Sequence, residues 1–404
     1  MVGEITGGDA PLGCIPAHAS IYLHIPFCEQ FCDYCDFYSV IAASSTDARF
    51  ERYIDALLAD AAEQVHTLAL NRIISVYIGG GTPSLLGAAR LSRLVSGIAS
   101  LGAAPIAEIT VEVNPQSLNH IFLELCAKSG ISRISVGVQT FHEPSRQAVH
   151  RAGSSTQVRE GLQLCSEFFP SSFSVDLMSG LPFQTEKTLA ADIETVLFYK
   201  PAHISLYALT LEEGNRLESI VPDQDSAAAL FILGRDMLEN AGYEQYEVSN
   251  FALAGKRSLH NIRYWRMENW IGCGSGASGT IIDDGTGTGL RLTYKADVDA
   301  YLQDRHGSYT KEELDRTTLI KETVLMGFRY ADGPDLALFK LRFGIELEEC
   351  IPRTLARWQA NMATVSRYGN HPPAKVHALS PEGLLFLNTF LHDAFDEIDR
   401  MSKV

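Results

Sequence analysis

Positive charge is scarce in this chain of 404 residues: 33 lysines and arginines stand against 49 aspartates and glutamates, a formal net charge of −16. A surface of that sign repels phosphate, which argues against nonspecific nucleic-acid binding. No stretch approaches 18 uninterrupted apolar residues, so no transmembrane helix is expected. The opening residues Met1-Val-Gly-Glu-Ile-Thr-Gly-Gly-Asp9 have neither a basic start nor an apolar run, and no secretory leader is expected. Low-complexity tracts and blocks of like charge are also lacking. Cysteine is present but not as a disulfide framework. Of the eight, five are scattered (Cys14, Cys126, Cys165, Cys273, Cys350), a usage that fits a reducing, cytoplasmic setting.

The other three cysteines are the most informative feature present. Cys28, Cys32 and Cys35 follow the apolar run Ile21-Tyr-Leu-His-Ile-Pro-Phe27 with spacing C-x3-C-x2-C. Three thiolates on one short loop can hold three irons of a [4Fe–4S] cluster and leave the fourth iron open to a small molecule. A zinc site with His24 as fourth ligand is the main rival. Three buried structural thiols are the other.

From about residue 20 to 210, short apolar runs at 20–26, 74–79, 108–114, 133–139, 173–179 and 203–209 alternate with helical patterns near 48–69, 87–101, 118–129, 155–168 and 186–199. Six β/α units in sequence predict an α/β fold with a parallel sheet curled into a partial barrel. The strands also alternate with period two. Ile109, Val111 and Val113 oppose Thr110, Glu112 and Asn114; Ile134, Val136 and Val138 oppose Ser135, Gly137 and Gln139; Phe173, Val175 and Leu177 oppose Ser174, Asp176 and Met178. A closed barrel would fill its interior with branched apolar side chains. Here one face is polar, which predicts a lumen with room for a ligand. A helix at 225–240 and a glycine-rich stretch at 272–279 come next. The expected division is an N-terminal extension at 1–19, a barrel with connecting segment at 20–293, and a smaller, mostly helical C-terminal domain at 294–404.

Gly79-Gly-Gly-Thr-Pro83 follows the second strand, where α/β folds bind ligands. With the cysteine loop it makes the chain resemble the radical S-adenosylmethionine (SAM) superfamily. Within that superfamily the chain resembles the coproporphyrinogen dehydrogenase/HemW-type group, with its HemN-like C-terminal domain, over about residues 20–395. The signatures are Tyr22-Leu-His-Ile-Pro-Phe-Cys28, Gly79-Gly-Gly-Thr-Pro-Ser84, Glu112-Val-Asn-Pro115, Gly137-Val-Gln139, Asp176-Leu-Met-Ser-Gly-Leu-Pro182 and His260-Asn-Ile-Arg-Tyr-Trp265. The resemblance implies that Cys28, Cys32 and Cys35 ligate the cluster, and that Tyr22, Gly80, Gly81, Thr82, Glu112, Gln139, Arg151 and Asp176 contact SAM. The residue types suit this: carboxylates accept from ribose hydroxyls or an ammonium, and Arg151 can pair with a carboxylate.

Two positions bear on the branch. The dehydrogenases carry a further cysteine two residues after the third ligand, and here that position is Phe37. His260-Asn-Ile-Arg-Tyr-Trp265 is similar to the His-Asn-x-x-Tyr-Trp motif of HemW-type proteins, which makes His260 a candidate haem ligand with Tyr264 and Trp265 as flat apolar neighbours. The rival for this motif is a structural role behind the barrel. The expectation is therefore a haem chaperone with a [4Fe–4S] cluster, SAM and haem, haem-accepting proteins as partners and an electron donor to the cluster. The enzymatic alternatives are oxygen-independent oxidation of coproporphyrinogen III and radical-driven opening or methylation of haem. No catalytic residue is assigned.

Overall fold

A computed structural model describes residues 17–42, 47–361, 364–368 and 375–401. Six parallel strands follow one another in space in chain order: β1 (His18–Ile25), β2 (Arg72–Gly80), β3 (Glu108–Val113), β4 (Arg133–Gln139), β5 (Phe173–Ser179) and β6 (His203–Ala208). Five longer helices connect them: α1 (Asp47–Thr67), α2 (Ala88–Ala99), α3 (His120–Lys128), α4 (Ser155–Phe168) and α5 (Glu186–Phe198). Their starts are encoded locally. The Asn119 side chain accepts from the Phe122 N–H, and Ser154 with Gln157 and Thr185 with Thr188 form reciprocal capping boxes.

The apolar face of each strand is buried beneath these helices. Ile109, Val111, Ile134, Val136, Val175 and Leu177 share one core with Leu57, Leu94, Leu162 and Ile193 of the helices. The opposite face holds the polar residues that alternate with them. The α/β partial barrel expected from the sequence is what is found.

Beyond β6 come α6 (Gln224–Asn240), the short strands β7 (Glu244–Gln245) and β8 (Asn250–Ala252), and α7 (Leu259–Trp265). The chain then returns to the far side of β1. β9 (Trp270–Cys273) pairs with β1 in parallel, and β10 (Ser278–Asp283), β11 (Thr288–Tyr294) and β12 (Tyr309–Leu314) extend it as an antiparallel ribbon. The resulting twelve-stranded sheet runs β12-β11-β10-β9-β1-β2-β3-β4-β5-β6-β8-β7.

The sheet therefore continues past residue 294. The six residues of β12 carry a single buried side chain, Leu314, so the period-two apolar signal that marks a strand is weak there. A second core begins beyond it. Ile320, Val324 and Phe328 of α8 (Arg316–Arg329) pack with Phe339, Phe343, Trp358 and Phe390 from the following helices. Two ion pairs tie it to the sheet, Arg342–Asp284 at 2.8 Å and Arg291–Glu322 at 2.6 Å.

Candidate functional site

Cys28, Cys32 and Cys35 sit on the loop after β1, and no disulfide joins them. Backbone bonds hold this loop: Val40 N–H donates to Pro26 O at 2.6 Å, Ala42 N–H to Cys28 O at 2.8 Å, and Asp33 N–H to Val149 O at 3.2 Å. Arg216 and His150 pair with the Asp33 carboxylate, which they hold below the usual range. The three thiols line a cavity of about 310 Å³ together with Gly81, Thr82, Asn114 and Arg151. Two donors face the sulfurs, Thr82 Oγ1 at 3.7 Å from Cys28 Sγ and Arg151 Nη1 at 3.8 Å from Cys32 Sγ. A Cβ at Gly81 would lie 2.9 Å from Cys28 Sγ and 2.8 Å from Phe27 O, so only glycine lets the second strand approach the loop this closely.

Among the described residues, no three of His, Cys, Asp and Glu converge where one ion would sit. His24 has no lone pair for zinc either: its ring nitrogens contact the Tyr22 hydroxyl at 2.8 Å and Tyr38 O at 3.0 Å. Burial lowers its pKa. Three thiols around an open cavity fit a polynuclear cluster better than a tetrahedral ion with sulfurs about 2.3 Å from one centre.

A second cavity of about 350 Å³ continues from the first, sharing Cys35, Phe37, Gly81, Thr82, Asn114 and Arg151 with it. Its wall holds Gly80, Glu112, Gln139 and Asp176. Thus eleven of the twelve site residues expected from the sequence need only two assignments of place: ten line these cavities, and Tyr22 stands behind them, holding His24. Gly80 has φ of +115° and a Cβ there would meet the His24 ring at 2.6 Å, so the turn needs glycine twice over. Gln139 adopts φ of +68°, an uncommon conformation for a residue with a side chain, at the register shift where β4 leaves β5.

The two carboxyls are buried together. Glu112 accepts from Tyr77 OH at 2.7 Å and from Gly80 N–H at 3.1 Å. Burial, aided by the nearby Asp176 charge, pushes its pKa up to about 7. Asp176 accepts from Ser135 at 3.3 Å, and burial raises it to about 6. Arg151 donates through Nη2 to Asn114 Oδ1 at 2.7 Å, while its buried Nε has no hydrogen-bond partner among the described residues. An uncommitted cationic donor and two carboxyls that resist ionisation make a site suited to a ligand bearing both charges. Tyr77 was not expected from the sequence. It shares the lumen face of β2 with Gly79, and that alternation was the available signal.

The twelfth residue, His260, lies elsewhere, apart from both cavities. It lies on α7 with 1% of its surface exposed. Its Nδ1 meets Ser75 Oγ at 2.9 Å and its Nε2 meets Tyr264 OH at 2.9 Å, so both nitrogens are occupied. Burial lowers its pKa to about 3. Its backbone N–H donates to Glu108 at the start of β3, the end of the strand remote from Glu112. Its ring is 5.2 Å from that of Tyr77, whose hydroxyl reaches Glu112. The motif closes the base of the barrel.

A family model described as the Radical SAM superfamily matches residues 22–196. Heme chaperone HemW of Lactococcus lactis subsp. lactis (strain IL1403) is 34% identical over 340 residues, 82% of this chain and 86% of that protein. Heme chaperone HemW of Escherichia coli (strain K12) is 35% identical over 291 residues, covering 71% of this chain and 76% of its own length. Among solved structures, coproporphyrinogen III oxidase (HemN) of Escherichia coli, described as a radical SAM enzyme, superposes with a TM-score of 0.76 at 20% identity, covering 94% of this chain and 90% of its own. That likeness establishes a shared fold.

Proposed function

Because this chain belongs to the HemW family of the radical SAM superfamily, we propose that it is a haem chaperone, which binds haem, a [4Fe–4S] cluster and SAM and passes the haem to recipient proteins. The observation that carries this reading is the continuous wall from three unpaired thiols to two buried carboxyls, in a chain aligned with HemW over four-fifths of its length. Cys28, Cys32 and Cys35 would hold the cluster, which when bound supplies an electron to SAM.

The chain's own residues do the rest. Gly80 and Gly81 let the backbone approach the ligand. Thr82 and Arg151 direct donors at the Cys28 and Cys32 sulfurs. Glu112 and Asp176 accept from cationic or hydroxyl groups of SAM, and Arg151 Nε is left to meet a carboxylate. The cluster needs an electron donor, and the recipients need access to the bound haem. No helix among the described residues is long and apolar enough to cross a membrane. The scattered thiols suit a cytoplasmic setting.

Glu112 gives this arrangement a pH signature. A cationic ligand group prefers the ionised carboxylate, and a pKa of about 7 leaves most of it protonated at pH 6. SAM affinity should therefore rise about tenfold between pH 6 and pH 8, and Glu112→Gln should flatten the profile. An equal slope in that variant, measured by calorimetry on reconstituted protein, would remove Glu112 from the SAM site.

The enzymatic alternative rests on fold likeness to HemN alone, and Phe37 occupies the position of the dehydrogenases' extra cysteine. Reconstituted protein given SAM, reductant and coproporphyrinogen III should leave the porphyrinogen unchanged by mass spectrometry, yet bind haem close to one per chain. Accumulation of protoporphyrinogen IX would overturn the chaperone reading.

A further inference from the structure

We propose that haem docks in a groove on the outside of the barrel, between α1 and the β9–β12 ribbon, with His306 as its iron ligand; the proposal rests on the haem-binding reading above. The groove has a volume of about 160 Å³, and it shares no wall with the thiol or carboxyl cavities.

The sheet builds the floor by its period of two. Leu290 pairs across with Ile281, and Leu292 pairs with Gly279 on one side and Lys311 on the other, so these side chains share one face. Leu290, Leu292 and Ile281 remain half-exposed although they are apolar, and Tyr309 stands half-exposed at one end. From β10 to β12 is two strand spacings, about 10 Å. A wide, flat apolar molecule fits that span. A small ligand would leave most of the floor wet.

The rim supplies the polar half of the recognition. Arg305 and Lys311 are the cations that line it, and His306 stands beside them. Arg305 is held by Glu63 at 2.6 Å, and His306 Nε2 lies 3.6 Å from the same carboxylate. The other acid at the groove, Asp60, is buried and accepts from Tyr294 OH at 2.6 Å and Tyr301 OH at 2.7 Å. Burial raises its pKa, and those hydroxyls, with the Gln64 amide, occupy its oxygens. Lys311 makes no ion pair among the described residues and lies over the Tyr309 ring, 5.9 Å from its centroid. It is free to take a carboxylate.

A planar apolar ring with carboxylates on its edge and a metal that accepts an imidazole is haem. His24 and His260 are committed to the core through both ring nitrogens, whereas His306 is exposed on a cavity wall. A shallow groove leaves one face of the ring uncovered, as transfer to another protein requires.

The test is titration of ferric haem into the full, cluster-reconstituted protein, with His306→Ala and Lys311→Glu beside the wild type. Both changes are on the surface, and cluster absorbance and SAM affinity should stay at wild-type levels. His306→Ala should shift the Soret band and weaken binding on the order of tenfold or more, because the iron loses its ligand. Lys311→Glu should weaken binding without shifting the band, because it touches the carboxylates alone. A wild-type band and affinity in His306→Ala would overturn the groove assignment and leave the chaperone reading standing. Absence of haem binding by the wild type would overturn both.

Discussion

Replacing any one of Cys28, Cys32 or Cys35 by alanine is expected to abolish the iron–sulfur absorbance of anaerobically reconstituted protein, whereas Cys126, Cys165, Cys273 or Cys350→Ala should leave it intact. The three loop thiols ring one cavity of about 310 Å³, two of them with donors facing their sulfurs. The other four described cysteines are buried in the cores. None of these four lines the cavity that the loop thiols surround. A cluster that has lost one of three protein ligands has two corners open, and its retention should fall to background in iron and sulfide analysis. One zinc per chain with no iron in the anaerobic wild type would instead support the mononuclear site that His24's hydrogen bonds argue against.

His260→Ala should destabilise the fold by about 3–5 kcal/mol and leave haem binding unchanged. The side chain is buried and bonded at both nitrogens, so truncation opens a cavity, strands the Tyr264 hydroxyl and leaves Ser75 with Ser20 alone. Denaturant unfolding measures the first effect and haem titration the second. Because the ring packs 5.2 Å from that of Tyr77, which donates to Glu112, the same variant should also weaken SAM binding. A stable His260→Ala protein with a shifted Soret band would return His260 to the ligand role its motif suggests.

The parts of the fold that the sequence made legible are those where one physical pattern dominates. Six apolar runs alternating with capped helices gave the strands of the barrel nearly to the residue, because each strand buries one full face beneath helices. The same alternation put Glu112, Gln139 and Asp176 on the lumen side, and they line one cavity. The β9–β12 ribbon was not legible, and Gly272-Cys-Gly-Ser-Gly-Ala-Ser-Gly279 shows why. Gly272 and Gly279 lie where two strands press together: a Cβ on Gly279 would fall 2.5 Å from Gly272 N. Glycines there serve backbone approach within a sheet, yet in sequence they look like a ligand loop.

The surroundings of His260 were not legible for a related reason. A histidine followed by Tyr and Trp has the composition of a haem pocket, but Glu108, Ser75 and Tyr264 come from distant or adjacent turns that only the fold assembles. His306 carries no such motif. What singles it out is the apolar floor built by three strands beside it, which requires the register of the ribbon to be known.

The chaperone claim itself turns on delivery. The most direct measurement is haem transfer: the haem-loaded, cluster-reconstituted protein is mixed with an excess of an apo haem protein, and the acceptor's Soret spectrum is followed after the two are separated. The account predicts that haem leaves this protein and appears in the acceptor at near-equal amount, faster than from a non-chaperone haem carrier such as albumin. Haem that stays bound, or that is opened or methylated while SAM is consumed, would contradict it.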